Sequence, residues 1–212
     1  MMLTLYGHPI SSFTWKVLTA LYENETPFES VTVDQNTYGA FIAKWPMGKF
    51  PILLDSDRNQ MISETSVIIE YLDAYYPGRT PFMPKDFDTA LEVRRWDRIF
   101  DHLNVTMSKT VVDNIRPDGQ RDPYGVEEAK RIMRGVYGVV ETQLADREFI
   151  VGKSFTLADC AAAPALWYSV RNLPLDGGLP RIGAYLDRLK ARPSFARALQ
   201  GSEPLFHMYP GA

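Results

Sequence analysis

Ser11 and Ser12 stand where an alternating apolar segment, Leu3-Thr4-Leu5-Tyr6, gives way through Gly7-His8-Pro9 to residues at helical spacing. A serine at such a strand-to-helix turn is first of all an N-cap, its oxygen taking a backbone N–H. The same position offers free N–H groups and the positive end of a helix dipole, so a hydroxyl there can also donate to an anion. A second helix start of this kind is Ser63-Glu64-Thr65-Ser66. Its hydroxyls and N–H groups suit a carboxylate and Glu64 suits an ammonium, the two groups that an α-amino acid terminus presents together. Between the two starts lies Trp45-Pro46-Met47-Gly48-Lys49-Phe50-Pro51, where Pro51 interrupts a β-forming run. A cis Phe50–Pro51 bond would turn the Phe50 backbone N–H and C=O outward, toward a peptide-like ligand. The sequence leaves the isomer open.

Other chemistries lack their residues. The single cysteine, Cys160, makes no internal disulfide, redox pair or thiolate zinc site, and falls where a small buried hydrophobe is expected. His8, His102 and His207 have no ligand-like spacing, so no metal is expected. Of the 212 residues, 45% are hydrophobic and 23% charged, which is the balance of a packed globular chain. Lysine and arginine total 23 against 26 acids, leaving no basic excess to attract nucleic acid. The first residues have neither a basic segment nor a long apolar one, and the most apolar run, 160–168, is half a membrane span and contains Pro164. These features predict a cytoplasmic protein that binds neither membrane nor nucleic acid.

The elements that must position these residues read as two groups. Up to about residue 78 the order is βαβ followed by αββα. Strands are predicted at 3–6, 28–33, 50–54 and 60–62, with helices over 12–25, over 37–45 and from about 64 to 75. The proline-rich stretch 77–84 then marks a boundary. Beyond it the pattern is helical, with apolar stripes at Leu91, Trp96, Ile99, Phe100, Leu103 and Met107, and at Ile182, Tyr185, Leu186 and Leu189. A polar loop is expected over 114–125. Thr156-Leu157-Ala158-Asp159, with Phe155 and Cys160 at the staple positions, is a capping box that opens another helix.

Together, in this order and spacing, the motifs resemble the glutathione S-transferase family over essentially the whole chain. Gly48-Lys49-Phe50-Pro51-Ile52-Leu53 is similar to the family's element carrying a cis-proline. Glu64-Thr65-Ser66-Val67-Ile68-Ile69-Glu70-Tyr71-Leu72 is similar to its E-S-x-A-I-x-x-Y-L element, with threonine in place of serine, and Thr156–Asp159 resembles its helical-domain capping box. The resemblance implies a thioredoxin-like α/β domain over 1–78, a linker over 79–87 and an all-helical domain over 88–212.

It further implies glutathione as co-substrate and a homodimer. Phe50, beside Pro51, would pair with the cysteinyl part of glutathione, Glu64 and Thr65 would hold the γ-glutamyl end, and Lys49 would face a carboxylate. Ser11 matches the catalytic serine of the serine-type classes (theta, phi, zeta), with Ser12 as the alternate. The small hydrophobic electrophile would lie between the domains, with His8, Ile10, Arg95, Trp96, Ile99 and His102 as candidates. Tyr6 lies within the strand rather than after it, so the tyrosine-type classes are not matched. The Ser-Ser-x-x-Trp-Lys-Val pattern resembles the zeta class, but Phe13 stands where its isomerases have cysteine. The implied activity is conjugation. A glutathione-dependent isomerase and a non-catalytic glutathione-binding or stress-response protein are the alternatives.

Overall fold

The computed structural model describes residues 3–211. Four strands, β1 (Leu3–Gly7), β2 (Glu29–Thr32), β3 (Ile52–Asp55) and β4 (Gln60–Ile62), form one sheet in the order β2-β1-β3-β4. β2 runs parallel to β1, whereas β3 is antiparallel to both β1 and β4. The parallel pair needs a crossover, supplied by α1 (Ser12–Glu23), and the antiparallel β3–β4 pair needs only a hairpin. β3 begins two residues later than the sequence suggests, because Pro51 has no N–H to give the ladder. Helix α2 (Tyr38–Lys44) precedes the hairpin and α3 (Thr65–Tyr75) follows it. Leu3, Leu5, Leu53 and Ile62 of the sheet pack on Val17, Leu21, Ile68 and Leu72 of α1 and α3. This is the thioredoxin-like layer.

The remainder is helical: α4 (Phe87–Asn114), α5 (Pro123–Gln143), α6 (Leu157–Asn172), α7 (Pro180–Ala191), α8 (Pro193–Ser202) and a 3₁₀ helix, Glu203–Met208. The expected polar loop is shorter than predicted, 115–122. Asp122 caps α5 through the Gly125 N–H at 2.8 Å, and Pro123 fills the first helical position, where its missing N–H costs nothing. The capping box opens α6 as expected, with Asp159 accepting from the Thr156 backbone N–H at 2.8 Å. Its other oxygen takes the Tyr185 hydroxyl and the Ile150 N–H, so this carboxylate also ties α7 and the preceding loop to α6. Cys160 beside it is buried. α8 and the 3₁₀ helix have no counterpart among the sequence expectations. Among the described residues no helix is long and apolar enough to cross a membrane.

α1 is the element on which the two layers meet. It packs on the sheet through Val17 and Leu21, and on α3, α6 and α8. Near its C-terminus the buried Glu23 accepts from Nε and Nη2 of the Arg192 guanidinium, at 2.8 and 2.6 Å, and from the hydroxyls of Ser194 and Thr80. Burial alone would raise the Glu23 carboxyl, but these donors outweigh it and hold the group below its usual range.

Candidate functional site

A cleft of about 360 Å³ opens between the sheet layer and α4. From the first layer come Phe13, Trp45, Lys49, Phe50, Pro51, Ser63, Glu64 and Thr65, and from α4 come Arg98, Asp101, His102 and Val105. The Phe50–Pro51 bond is cis. Two helix N-termini flank this space, and they are built differently.

The first is the β1–α1 corner. Gly7 ends β1 where a Cβ would meet the Thr14 side chain at 2.7 Å, so glycine lets α1 approach the strand closely. Ser11 has extended backbone and caps α1, its hydroxyl oxygen accepting from the Thr14 N–H at 3.3 Å. With the oxygen engaged as an acceptor, the O–H proton is left to donate elsewhere. Ser12 is the first residue inside the helix, and neither serine is among the residues that wall the cleft, though the next residue, Phe13, is. His8 Nδ1 accepts from the Ile10 N–H at 3.4 Å, and the His8 ring centroid lies 6.4 Å from that of Phe50. Burial lowers the His8 pKa, against the pull of Asp34, and favours the neutral ring.

The second is the β4–α3 corner. Glu64 precedes α3 with φ 65°, a conformation that side chains rarely adopt, and its side chain makes no capping bond. Thr65, the first residue of α3, is largely buried and lines the cleft. Ser66, one residue on, belongs to a buried charge cluster in which Lys16 Nζ lies 2.6 Å from Asp97, 2.8 Å from Asp101 and 3.0 Å from the Ser66 hydroxyl. Ser66 in turn donates to Asp97 at 2.6 Å. Burial lifts the Asp101 carboxyl above its usual range. Lys16 opposes this and Asp97 reinforces it.

Of the residues singled out from sequence, the structure gathers Lys49, Phe50, Pro51, Glu64, Thr65 and His102 around one cleft. Ser11, Ser12, His8 and Ile10 lie on the β1–α1 corner. It does not bring Arg95, Trp96 and Ile99 there. Trp96 is 1% exposed inside the helical core, Ile99 packs against that core, and Arg95 lies 3.6 Å from Glu92 in a separate hollow beside α5. The face of α4 that does line the cleft reads Arg98, Asp101, His102, Val105, an i, i+3, i+4, i+7 set. That period was present in the sequence, but the neighbouring apolar stripe draws attention to the opposite, buried face. Among the described residues, no group of three or more His, Cys, Asp and Glu side chains could hold a metal ion.

Two family models match, "Glutathione S-transferase, N-terminal domain" over residues 5–80 and "Glutathione S-transferase, C-terminal domain" over 123–188. The chain is 32% identical to glutathione S-transferase 3 of Zea mays, across 93% of each chain. A glutathione S-transferase of Methylobacterium radiotolerans, solved in complex with glutathione sulfonate, superimposes with a TM-score of 0.82 at 30% identity, over 93% of this chain and 94% of the other. A second, from Methylobacillus flagellatus with GSH bound, gives 0.83 at 25% identity, over 92% and 98%.

Proposed function

Because the chain belongs to the glutathione S-transferase family, we propose that it binds glutathione in the α3–α4 cleft and joins its sulfur to small hydrophobic electrophiles. The observation that carries this reading is the cleft itself, which sets Phe50, Glu64 and Thr65 of the sheet layer opposite the Arg98–Val105 face of α4, with the Ser11 cap on the adjoining corner. The charges suit the ligand. Glutathione carries two carboxylates and one ammonium, and the cleft presents Lys49 and Arg98 beside Glu64 and Asp101. Glu64 and Thr65 take the γ-glutamyl end, the backbone of Phe50 next to Pro51 takes the cysteinyl part, and Lys49 faces the glycyl carboxylate.

Ser11 supplies the thiolate donor, with Ser12 as the alternate. A thiol of pKa about 8.5 is roughly 3% ionised at neutral pH, while one lowered to about 6.5 is roughly three-quarters ionised. The difference, about 2.7 kcal/mol, is within reach of one charge-assisted hydrogen bond at a helix N-terminus. The thiolate then attacks the electrophilic carbon. A carbon–sulfur bond forms, the leaving group departs with its electron pair, and the thiol proton has already passed to solvent. No side chain need act as base.

We place the domain boundary at 78, with a linker over 79–87 and the helical domain over 88–212. The apolar side chains left exposed on β4, α3 and α4, namely Met61, Val67 and Leu91, support a homodimer. The deciding experiment is a calorimetric titration with glutathione, followed by ultraviolet difference absorbance of the thiolate. Binding with a thiolate signal is the expected result. Binding without it would favour a carrier or an isomerase, and no binding at millimolar glutathione would overturn the assignment.

A further inference from the structure

The loop that carries Ser11 is held from behind by groups that do not line the cleft. Tyr168 of α6 donates its hydroxyl to the carbonyl oxygen of Ile10 at 2.5 Å, and Trp15 Nε1 donates to the carbonyl of Pro9. The two rings pack together with centroids 4.8 Å apart, and Phe206 of the 3₁₀ helix packs on both. Asn172, one turn further along α6, donates to the Tyr168 carbonyl at 2.7 Å and to the Tyr209 hydroxyl at 2.5 Å. Tyr209 and Asn172 thus hold the Tyr168 segment of α6 at its backbone, and the Tyr168 hydroxyl reaches the residue before Ser11.

The loop has little freedom of its own. The Ser11 N–H donates to the His8 carbonyl at 2.9 Å, and the Ser11 carbonyl accepts from the Trp15 N–H at 2.9 Å. A tilt of the Ile10 peptide must therefore move the Ser11 cap. Hydroxyl donation to a sulfur depends on a few tenths of an ångström in placement, and supporting hydrogen bonds usually set that placement. Tyr168 is 2% exposed and belongs to the helical domain, yet its hydroxyl goes to the loop of the other domain rather than to a partner in its own.

We propose that Tyr168 is a positioning residue for the thiolate donor, fixing the β1–α1 loop from the helical domain through the Ile10 carbonyl. This rests on the reading of Ser11 given above. Removing the hydroxyl alone should leave glutathione bound and weaken only the stabilisation of its thiolate.

The test compares Tyr168→Phe, Ser11→Ala and Tyr137→Phe by the pH dependence of kcat/KM for a chlorodinitrobenzene at saturating glutathione, where the reacting form is the glutathione complex. KM for glutathione and Tm are measured beside it. Tyr137 is the control, since its hydroxyl also donates to a backbone carbonyl, Leu173, but within the helical domain at 3.1 Å. For Tyr168→Phe the expected result is an apparent thiol pKa raised by about half to one unit. Turnover at mildly acidic pH should fall about three- to tenfold, with KM for glutathione within about twofold of wild type. Ser11→Ala should raise the same pKa by about one to two units and lower turnover at least tenfold, as expected from losing one charge-assisted donor. Tyr137→Phe should lower Tm and leave the pH profile in place. A Tyr168→Phe profile that superposes on wild type, while Ser11→Ala moves, overturns the positioning role alone. An unmoved Ser11→Ala profile overturns both readings and shifts the donor to Ser12.

Discussion

The two corners of the cleft reach similar ends with opposite materials. At the β1–α1 corner a serine caps its helix in ordinary extended geometry, and the backing is aromatic: Trp15, Tyr168 and Phe206, with hydrogen bonds to loop carbonyls. At the β4–α3 corner the residue before the helix sits at φ 65° without a side-chain cap, and the backing is ionic: Lys16, Asp97, Asp101 and Ser66. An aromatic backing loses packing gradually when altered. An ionic one, buried between two domains, loses its balance all at once when one charge is removed.

Lys16→Met should therefore have the largest effect on stability of any change near the cleft. It would leave Asp97, 2% exposed, and Asp101, 14% exposed, facing each other without their cation. Breaking a buried ion pair from one side costs about 3–5 kcal/mol. Thermal denaturation should show a Tm lowered by many degrees, partly restored when Asp101→Asn removes the repulsion. A Tm within a degree or two of wild type would show that the corner is solvated and that the contrast between the corners is false.

The contrast also explains what could be read in the residues alone. Ser11 was visible because capping is a local rule, a hydroxyl between a strand pattern and a helix pattern. The capping box at Thr156 was visible for the same reason. Glu64 was named for its charge, but its positive φ was hidden, since nothing local favours a glutamate there and only the surrounding fold imposes it. Lys16 could be read only as one residue of a helix, because its partners Asp97 and Asp101 lie more than 80 positions away. Arg95, Trp96 and Ile99 were chosen from the right helix and the wrong faces. Which face of α4 meets the sheet layer is decided by docking, and the apolar stripe that signals a helix marks the side that is buried.

Glu64→Gly should separate the two jobs of the ionic corner. Glycine has no Cβ to strain at φ 65°, ψ 118°, so the substitution should raise stability by a few tenths of a kcal/mol. The relief is partly offset by the larger backbone entropy that glycine loses on folding. It also removes the carboxylate assigned to the γ-glutamyl ammonium, and glutathione affinity should fall about tenfold with the loss of a charge-assisted contact. Calorimetric titration and a melting curve on the same preparation read both quantities. A protein that binds more weakly and melts higher is the expected pair. A lower Tm would mean that the glutamate side chain stabilises the corner, and unchanged affinity would sink the γ-glutamyl assignment.

The smallest effect belongs to His8, the titratable ring of the aromatic-backed corner. Burial depresses its pKa in the folded protein below the ordinary 6.5, and the Asp34 charge only partly opposes this. The unfolded chain therefore binds more protons than the folded one as pH falls from 6.5 toward the lowered value. The contribution of His8 to stability is fully present above 6.5 and is lost through that window on acidification. His8→Gln removes the titration and retains a hydrogen-bonding side chain. The Tm of wild type should fall slightly more than that of the variant between neutral pH and the window below 6.5, with the two curves parallel above it. A variant that loses stability faster than wild type on acidification would mean that the charged ring is favoured in the folded state. The β1–α1 corner would then be ionic as well, and the contrast between the two corners would fail at its weaker side.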